Sequence, residues 1–137
     1  MDITAKLTEL GLELPKAAAP VAAYVPVVEY GGLLYVSGQL PFRDGQVVTG
    51  RLGDDTDVAN GYDAARRCAL MLIAQIGQAL DGDWSRVERV VKLGVFVNSA
   101  PAFTDQAKVA NGASDLFEAL FGEAGRHARA AVGVAVL

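Results

Sequence analysis

The sequence predicts a single α+β domain in which two long helices pack on one face of a mixed sheet. β-rich runs and helical runs follow one another in the order strand, strand, helix, strand, helix, strand. At 137 residues the chain has the size of one domain, and it contains no internal repeat. We therefore treat residues 1–137 as one unit, with residues 1–18 as an N-terminal helix and linker extension.

The N-terminal third is predicted to contain a short helix and a β-hairpin. Apolar residues at helical spacing end at Gly11, a favourable C-terminal cap, and predict an amphipathic surface helix (Ile3, Leu7, Leu10). Residues 15–20 are expected to be a linker. Residues 21–30 and 33–37 are β-rich and flank Gly31-Gly32, a strong signal for a two-residue hairpin turn. A further short strand is expected near Val47, after the Asp44-Gly45 turn.

The remainder is predicted to read helix, strand, helix, strand. Asp57 suits the N-cap of a helix over residues 58–80, which Asp81-Gly82 ends. Alternating apolar residues predict a strand over residues 87–97. A second long helix is expected over residues 104–121, up to Gly122, and a final strand over residues 128–136.

Arg129 stands at the start of that last strand. Its guanidinium keeps its charge at any working pH and presents a planar fork of donors that matches a carboxylate. Burying such a group without a partner costs several kcal/mol, so the position requires an anion or a path to solvent. Taken alone, an exposed arginine at a strand end is the simpler interpretation.

Composition excludes several classes of function. The net charge of −4 argues against nucleic-acid binding, which depends on cations that neutralise phosphates. No run approaches the ~18 apolar residues of a membrane span, and the N-terminus lacks a signal core, so we expect a cytoplasmic protein without a membrane partner. Cys68 is the only cysteine and is expected to be a buried structural thiol. We find no phosphate-binding glycine motif and no zinc-ligand spacing, so no cofactor or metal is predicted.

Several segments, in order, resemble the Rid/YjgF family, small proteins named for deaminating reactive enamines and imines. The resemblance extends from about residue 19 onward. It rests on Tyr24, residues 34–41 (LYVSGQLP), residues 91–97 (VKLGVFV), Asn111 and residues 128–134 (ARAAVGV). The N-terminal helix and residues 50–58 resemble a longer subgroup of that family. Relatives in the family also carry an endoribonuclease label.

The resemblance implies a chorismate-mutase-like α+β fold that assembles as a trimer. In such a trimer the sheets form a central barrel, and ligand clefts lie between subunits. Arg129 would hold the carboxylate of 2-aminoacrylate or its imine tautomer, and a water would attack the imine carbon, which releases ammonia and a 2-keto acid. The other substrate-binding residues implied are Tyr24, Ser37, Gly38, Asn111 and Ala131.

Two departures from the family keep alternatives open. The family continues beyond Leu137 with a strand whose glutamate positions the water, so we expect the sequence to be a truncation of a longer protein. The absent glutamate favours a non-catalytic binder of small carboxylates such as 2-keto acids, and a ribonuclease is a weaker third reading. His127 stands where many deaminases carry proline. It is expected to be an exposed loop histidine or, alternatively, a residue that assists proton transfer beside Arg129.

Overall fold

The computed structural model of the protein describes residues 2–137, and this part of the chain contains three α-helices and six short strands. The helices are α1 (Ile3–Glu9), α2 (Val58–Ala79) and α3 (Gln106–Phe121). The strands are β1 (Val27–Tyr30), β2 (Leu33–Val36), β3 (Phe42–Arg43), β4 (Gln46–Val47), β5 (Lys92–Asn98) and β6 (Ala128–Val134). Short 3₁₀ turns at Trp84–Arg86 and Gly122–Gly125 precede β5 and β6.

The predicted N-terminal helix is confirmed, and its apolar side belongs to the main core. The Asp2 carboxylate caps α1 by accepting a hydrogen bond from the amide of Ala5 at 3.0 Å. Ile3 and Leu7 are buried, and the Lys6 ammonium donates to the carbonyl of Leu120 at the end of α3. The ammonium therefore supplies a donor to the C-terminal turn of α3, where carbonyls lack helical partners.

The predicted hairpin is confirmed, but its first strand is shorter than expected. Tyr30 lies opposite Leu33, and both turn glycines have positive φ angles of 62° and 76°, as a type I′ turn requires. The chain over residues 21–24 forms bends instead of strand. Pro26 has no amide hydrogen for a ladder, which accounts for the late start of β1 at Val27.

The prediction of one mixed sheet is wrong for the chain described here. Within residues 2–137 the strands pair only two by two: β1–β2 and β3–β4 are antiparallel, and β5–β6 is parallel. The hairpin lies against α2, whereas β5–β6 packs on α3, and no backbone ladder joins the two units. The β5–β6 register pairs Lys92 with Ala128 and continues to Asn98 opposite Val134.

The remaining predicted elements are confirmed with shifted ends. Asp57 caps α2 by accepting from the amide of Asn60 at 2.9 Å. Residues 87–91 precede β5 without strand pairing, and β6 ends at Val134. No helix in the described chain combines the length and the apolar character that crossing a bilayer requires.

The core lies mainly between α2 and α3, and Gly112 allows their backbones to approach each other. A Cβ atom at Gly112 would overlap the backbone carbonyl of Tyr62 on α2. Three residues further along α3, the Asp115 carboxylate accepts a 2.8 Å hydrogen bond from the Tyr62 hydroxyl. This hydrogen bond, followed by burial, raises the pKa of Tyr62. The crossing of the two helices is thus held by a close backbone contact and a polar link beside it.

We expect Gly112→Ala to destabilise the protein by about 2 kcal/mol, because backbone cannot yield to the added methyl group as a side chain can. Gly61→Ala at the same helix pair is the matched control. Its Cβ would lie 2.9 Å from a methyl of Val109 and 3.1 Å from a methyl of Leu52, and both side chains can shift. Urea unfolding of the two variants measures the difference; equal stabilities would contradict the role assigned to the backbone contact.

Candidate functional site

The guanidinium of Arg129 extends from β6 to α3 and is held there by neutral acceptors. Its Nη1 donates to the Asn111 side-chain oxygen at 2.8 Å and to the Ser114 hydroxyl at 3.0 Å. Its Nη2 makes a longer contact of 3.4 Å to the carbonyl of Ala107. In the β5–β6 ladder, Arg129 lies opposite Leu93, whose side chain is buried against the helices. Because paired residues point to the same face of a sheet, the Arg129 side chain also points to the face that packs on α3.

The acceptors form one stripe along α3. Residues 107, 111 and 114 are spaced by four and three positions, and this spacing places them on one face of a helix. Sequence reasoning selected Asn111 from this stripe but missed Ser114. Its helical spacing from Asn111 was the available signal, yet the spacing alone does not show that Arg129 lies against this face.

Arg129 retains an uncompensated charge. Among residues 2–137 no carboxylate oxygen comes within 4.0 Å of its guanidinium nitrogens, although six ion pairs form elsewhere. The three contacts to Asn111, Ser114 and Ala107 use three of the five N–H donors of the fork. Nε and the second hydrogen of Nη2 remain, and these two donors form the side-on edge of a guanidinium that suits a carboxylate.

His127 extends this hydrogen-bond network. Its Nε2 lies 3.0 Å from the Ser114 hydroxyl oxygen, and its Nδ1 lies 2.6 Å from the carbonyl of Gly125. Its ring packs edge-on against Phe117 at a centroid distance of 5.9 Å. The expectation of an exposed loop histidine is therefore wrong: the side chain is partly buried and both ring nitrogens have partners.

The hydrogen bonds define the tautomer of His127. The Gly125 carbonyl can only accept, so Nδ1 carries a hydrogen and donates to it. In the neutral imidazole Nε2 is then the unprotonated nitrogen, which accepts from the Ser114 hydroxyl while the Ser114 oxygen accepts from Arg129. Arg129, Ser114 and His127 thus form a continuous chain of donors and acceptors that ends on a backbone carbonyl.

These three side chains line one surface pocket of about 210 Å³, together with Glu118, Gly125 and Arg126. The Arg126 guanidinium is already paired with Glu118 at 2.8 Å and with Glu123 at 3.2 Å. Hydrogen bonding and charge from Glu118, with a smaller contribution from Glu123, raise the pKa of Arg126. Arg129 is therefore the cation available to a ligand, and the pocket suits a small anion.

A larger pocket of about 350 Å³ lies between residues 13–15 and α2, but its charged groups are less suited to binding an anion. Arg67 on its wall is paired with Asp63 at 2.7 Å, and Arg43 binds the same carboxylate oxygen at 2.8 Å. Burial alone would raise the pKa of Asp63, but the hydrogen bonds from Arg67 and Arg43 lower it below its ordinary value. The cations here are compensated within the chain.

The other predicted site residues lie in different surroundings. Tyr24 is half exposed, and the Ser37 hydroxyl donates to the carbonyl of Val25 at 2.8 Å. A Cβ at Gly38 would meet no atom within 4 Å in the described chain, so the fold of a single chain does not require glycine there. Ala131 lies two residues beyond Arg129 on β6, opposite Val95. Within the described chain no hydrogen bond links Tyr24, Ser37 or Gly38 to the Arg129 network.

Cys68 lies on α2, apart from the Arg129 hydrogen-bond network. Burial raises the pKa of the Cys68 thiol to about 11, which agrees with a structural thiol on α2. Across residues 2–137 no three His, Cys, Asp or Glu side chains come together so as to hold a metal ion.

We expect iodoacetamide at pH 8 to alkylate Cys68 roughly 100-fold more slowly in the folded protein than in urea, because the thiolate is the reactive form. Mass spectrometry of quenched time points measures the two rates. Similar rates in both conditions would show that the folded thiol is accessible and ionised, contrary to its raised pKa.

Residues 4–137 match one protein family, which is described as "YjgF/chorismate mutase-like, putative endoribonuclease". Protein TCP17 of Trypanosoma cruzi is 57% identical over 137 residues, which cover 98% of this chain and 85% of that protein. A solved structure of an Agrobacterium tumefaciens protein of unknown function is 52% identical with a TM-score of 0.92, over 98% of this chain and 83% of that one. A Shewanella oneidensis MR-1 structure, described as a "putative endoribonuclease", is 38% identical with a TM-score of 0.95, over 100% and 91% of the two chains.

Proposed function

Because this chain belongs to the YjgF/chorismate mutase-like family, we propose that it hydrolyses small 2-enamine and 2-imine carboxylates to 2-keto acids and ammonia. The observation that carries the proposal is the Arg129 guanidinium, which neutral acceptors hold at the edge of a pocket and no carboxylate compensates within the described residues. A substrate of the 2-aminoacrylate type supplies the missing anion.

The chemistry demands little beyond such a clamp. An enamine with an α-carboxylate is already unstable in water, so catalysis needs a fixed carboxylate, a positioned water and proton transfer. Asn111 and Ser114 orient the guanidinium before the ligand arrives. A fork that is already oriented loses less conformational entropy on binding, which leaves more of the interaction free energy for affinity.

We further propose that the site is completed between subunits of a trimer. The face of β5–β6 that points away from α3 carries exposed apolar side chains, with Phe96 64% exposed and Val132 46% exposed. Covering this face with a second copy would remove apolar surface from water. We also propose that this assembly brings Tyr24, Ser37 and Gly38 of one subunit toward Arg129 of another, since one chain does not bring them together.

Two other functions are alternatives that the experiment below distinguishes from deamination. A non-catalytic binder of 2-keto acids would keep the Arg129 clamp without accelerating hydrolysis. An endoribonuclease is suggested by the family description and by the Shewanella oneidensis relative. The net charge of −4 opposes binding to a polyanion, so we rank this activity below deamination.

Arg129→Ala is expected to lower the rate of pyruvate formation at least about 10- to 100-fold, because it removes charge-assisted hydrogen bonds to the substrate carboxylate. Arg129→Lys should be almost as damaging, since a point charge cannot reproduce a two-pronged contact. The assay generates 2-aminoacrylate in situ from serine with a pyridoxal-phosphate dehydratase and measures pyruvate against the uncatalysed background.

Arg86→Ala is the control, since this exposed arginine is paired with Glu29 of the hairpin. Near-native activity in Arg129→Lys would contradict the claim that the substrate carboxylate needs a two-pronged contact. No acceleration by the native protein, with pyruvate still binding through Arg129, would instead identify a binding protein. RNA cleavage that Arg129→Ala abolishes would favour the endoribonuclease.

A further inference from the structure

Arg129 cannot supply the proton transfers that hydrolysis of an imine requires. Its guanidinium stays protonated at any working pH, so it binds charge but does not exchange protons. Glu118, the carboxylate that lines the same pocket, is paired with Arg126 at 2.8 Å. His127 is the remaining titratable side chain of the pocket lining, and histidine is the residue type that most readily exchanges protons near neutral pH.

We propose that Ser114 and His127 form a proton relay for the water that attacks a ligand held by Arg129, an inference that rests on the proposed function. In this relay the Ser114 hydroxyl touches the attacking water and is the catalytic residue. His127 acts through Ser114, and Gly125 and Phe117 hold its ring. The triad of hydroxyl, imidazole and backbone carbonyl follows the general pattern of an activated hydroxyl whose base is oriented by a third group.

The hydrogen-bond capacity of Ser114 leaves room for one more donor. A hydroxyl has one hydrogen to donate and two lone pairs to accept. With a neutral His127 the hydrogen is donated to Nε2, and one lone pair accepts from Nη1 of Arg129. The second lone pair is available to accept a hydrogen from the attacking water. A water in this position would be linked through the Ser114 oxygen to Nη1 of Arg129 and to Nε2 of His127.

The first half of the reaction then moves one proton toward His127. The water oxygen forms a bond to the iminium carbon, and the C=N π electrons move to nitrogen. The water passes a proton to the Ser114 oxygen while Ser114 passes its own proton to Nε2 of His127. The products of this step are a neutral carbinolamine and an imidazolium.

The second half returns that proton. His127 gives it back through Ser114 to the amine nitrogen, the C–N bond breaks with its electron pair, and ammonia leaves. The carbinolamine hydroxyl becomes the ketone after its hydrogen is released to solvent. One water is consumed for each ammonia and 2-keto acid formed, and Ser114 and His127 end in their starting protonation states.

The surroundings keep the ring of His127 in a fixed position. The carbonyl of Gly125 lies in a 3₁₀ turn that packs so closely on α3 that a Cβ at this glycine would overlap the backbone carbonyl of Phe117. The ring of Phe117 packs against the imidazole from α3. Because both contacts come from one rigid turn and one buried helix residue, Nε2 stays directed at Ser114.

The test uses native protein, His127→Gln, Ser114→Ala and the double variant in the 2-aminoacrylate assay. Glutamine keeps a polar group near Ser114 but cannot carry a proton. We expect kcat to fall about 100- to 1,000-fold in each single variant, the range that general acid–base catalysis contributes. The double variant should be no worse than Ser114→Ala alone, because two members of one relay do not lose activity additively.

Two readouts separate a relay from a structural role. Inhibition by pyruvate, which reports the carboxylate clamp, should stay within about threefold of native in His127→Gln, because the removed interaction acts only in the transition state. In His127→Ala, added imidazole should restore part of the kcat. Glu123→Gln is the control, since this exposed carboxylate pairs with Arg126 outside the relay.

Each other outcome overturns a definite claim. An active native protein whose His127→Gln variant retains kcat within about threefold would overturn the relay and leave the proposed function standing. Additive losses of kcat in the double variant, or no rescue of His127→Ala by imidazole, would also overturn the relay and leave the proposed function standing. A native protein without activity would overturn the deaminase and the relay together.

Discussion

The close contact between the backbones of α2 and α3 at Gly112 is the constraint on which the site depends. A side chain at this position would overlap the Tyr62 carbonyl, so the crossing exists only because the residue has no Cβ. Asn111 precedes it and Ser114 lies two positions beyond. At about 100° per residue, the stripe that contains them lies roughly a third of a turn around the helix from Gly112. Packing Gly112 against α2 therefore turns Asn111 and Ser114 toward β6 and Arg129.

The choice of neutral partners for Arg129 explains how a stable domain keeps a usable charge. Arg67 and Arg126 are held by carboxylates, which orient a guanidinium but also cancel its charge. Asn111 and Ser114 orient Arg129 through hydrogen bonds and leave its charge in place. Because the fork is positioned before binding, an anionic ligand gains the attraction without the full entropy cost of ordering a flexible side chain.

The division of the strands into pairs bears on how the family fold works in this chain. The β1–β2 hairpin and the β5–β6 pair each cover one helix, and their other faces and edges carry unpaired backbone groups and apolar side chains. Arg129 lies on β6, whereas Tyr24 precedes the hairpin and Ser37 and Gly38 follow it. The proposed assembly of several copies would join these parts, so that a small domain obtains an enclosed site from its neighbours.

The sequence by itself determined the local structure. Helical periodicity, the stop at Gly11 and the cap at Asp57 predicted α1 and α2, and Gly31-Gly32 predicted the hairpin, because these signals involve residues that lie close along the chain. It also singled out Arg129 and Asn111, through the family resemblance. Only the tertiary structure decided which strands pair, since pairing joins distant segments that periodicity does not connect. For the same reason it alone revealed the network of Ser114 and His127: they lie 13 residues apart on different elements, and only the packing of α3 against β6 brings them within 3.0 Å.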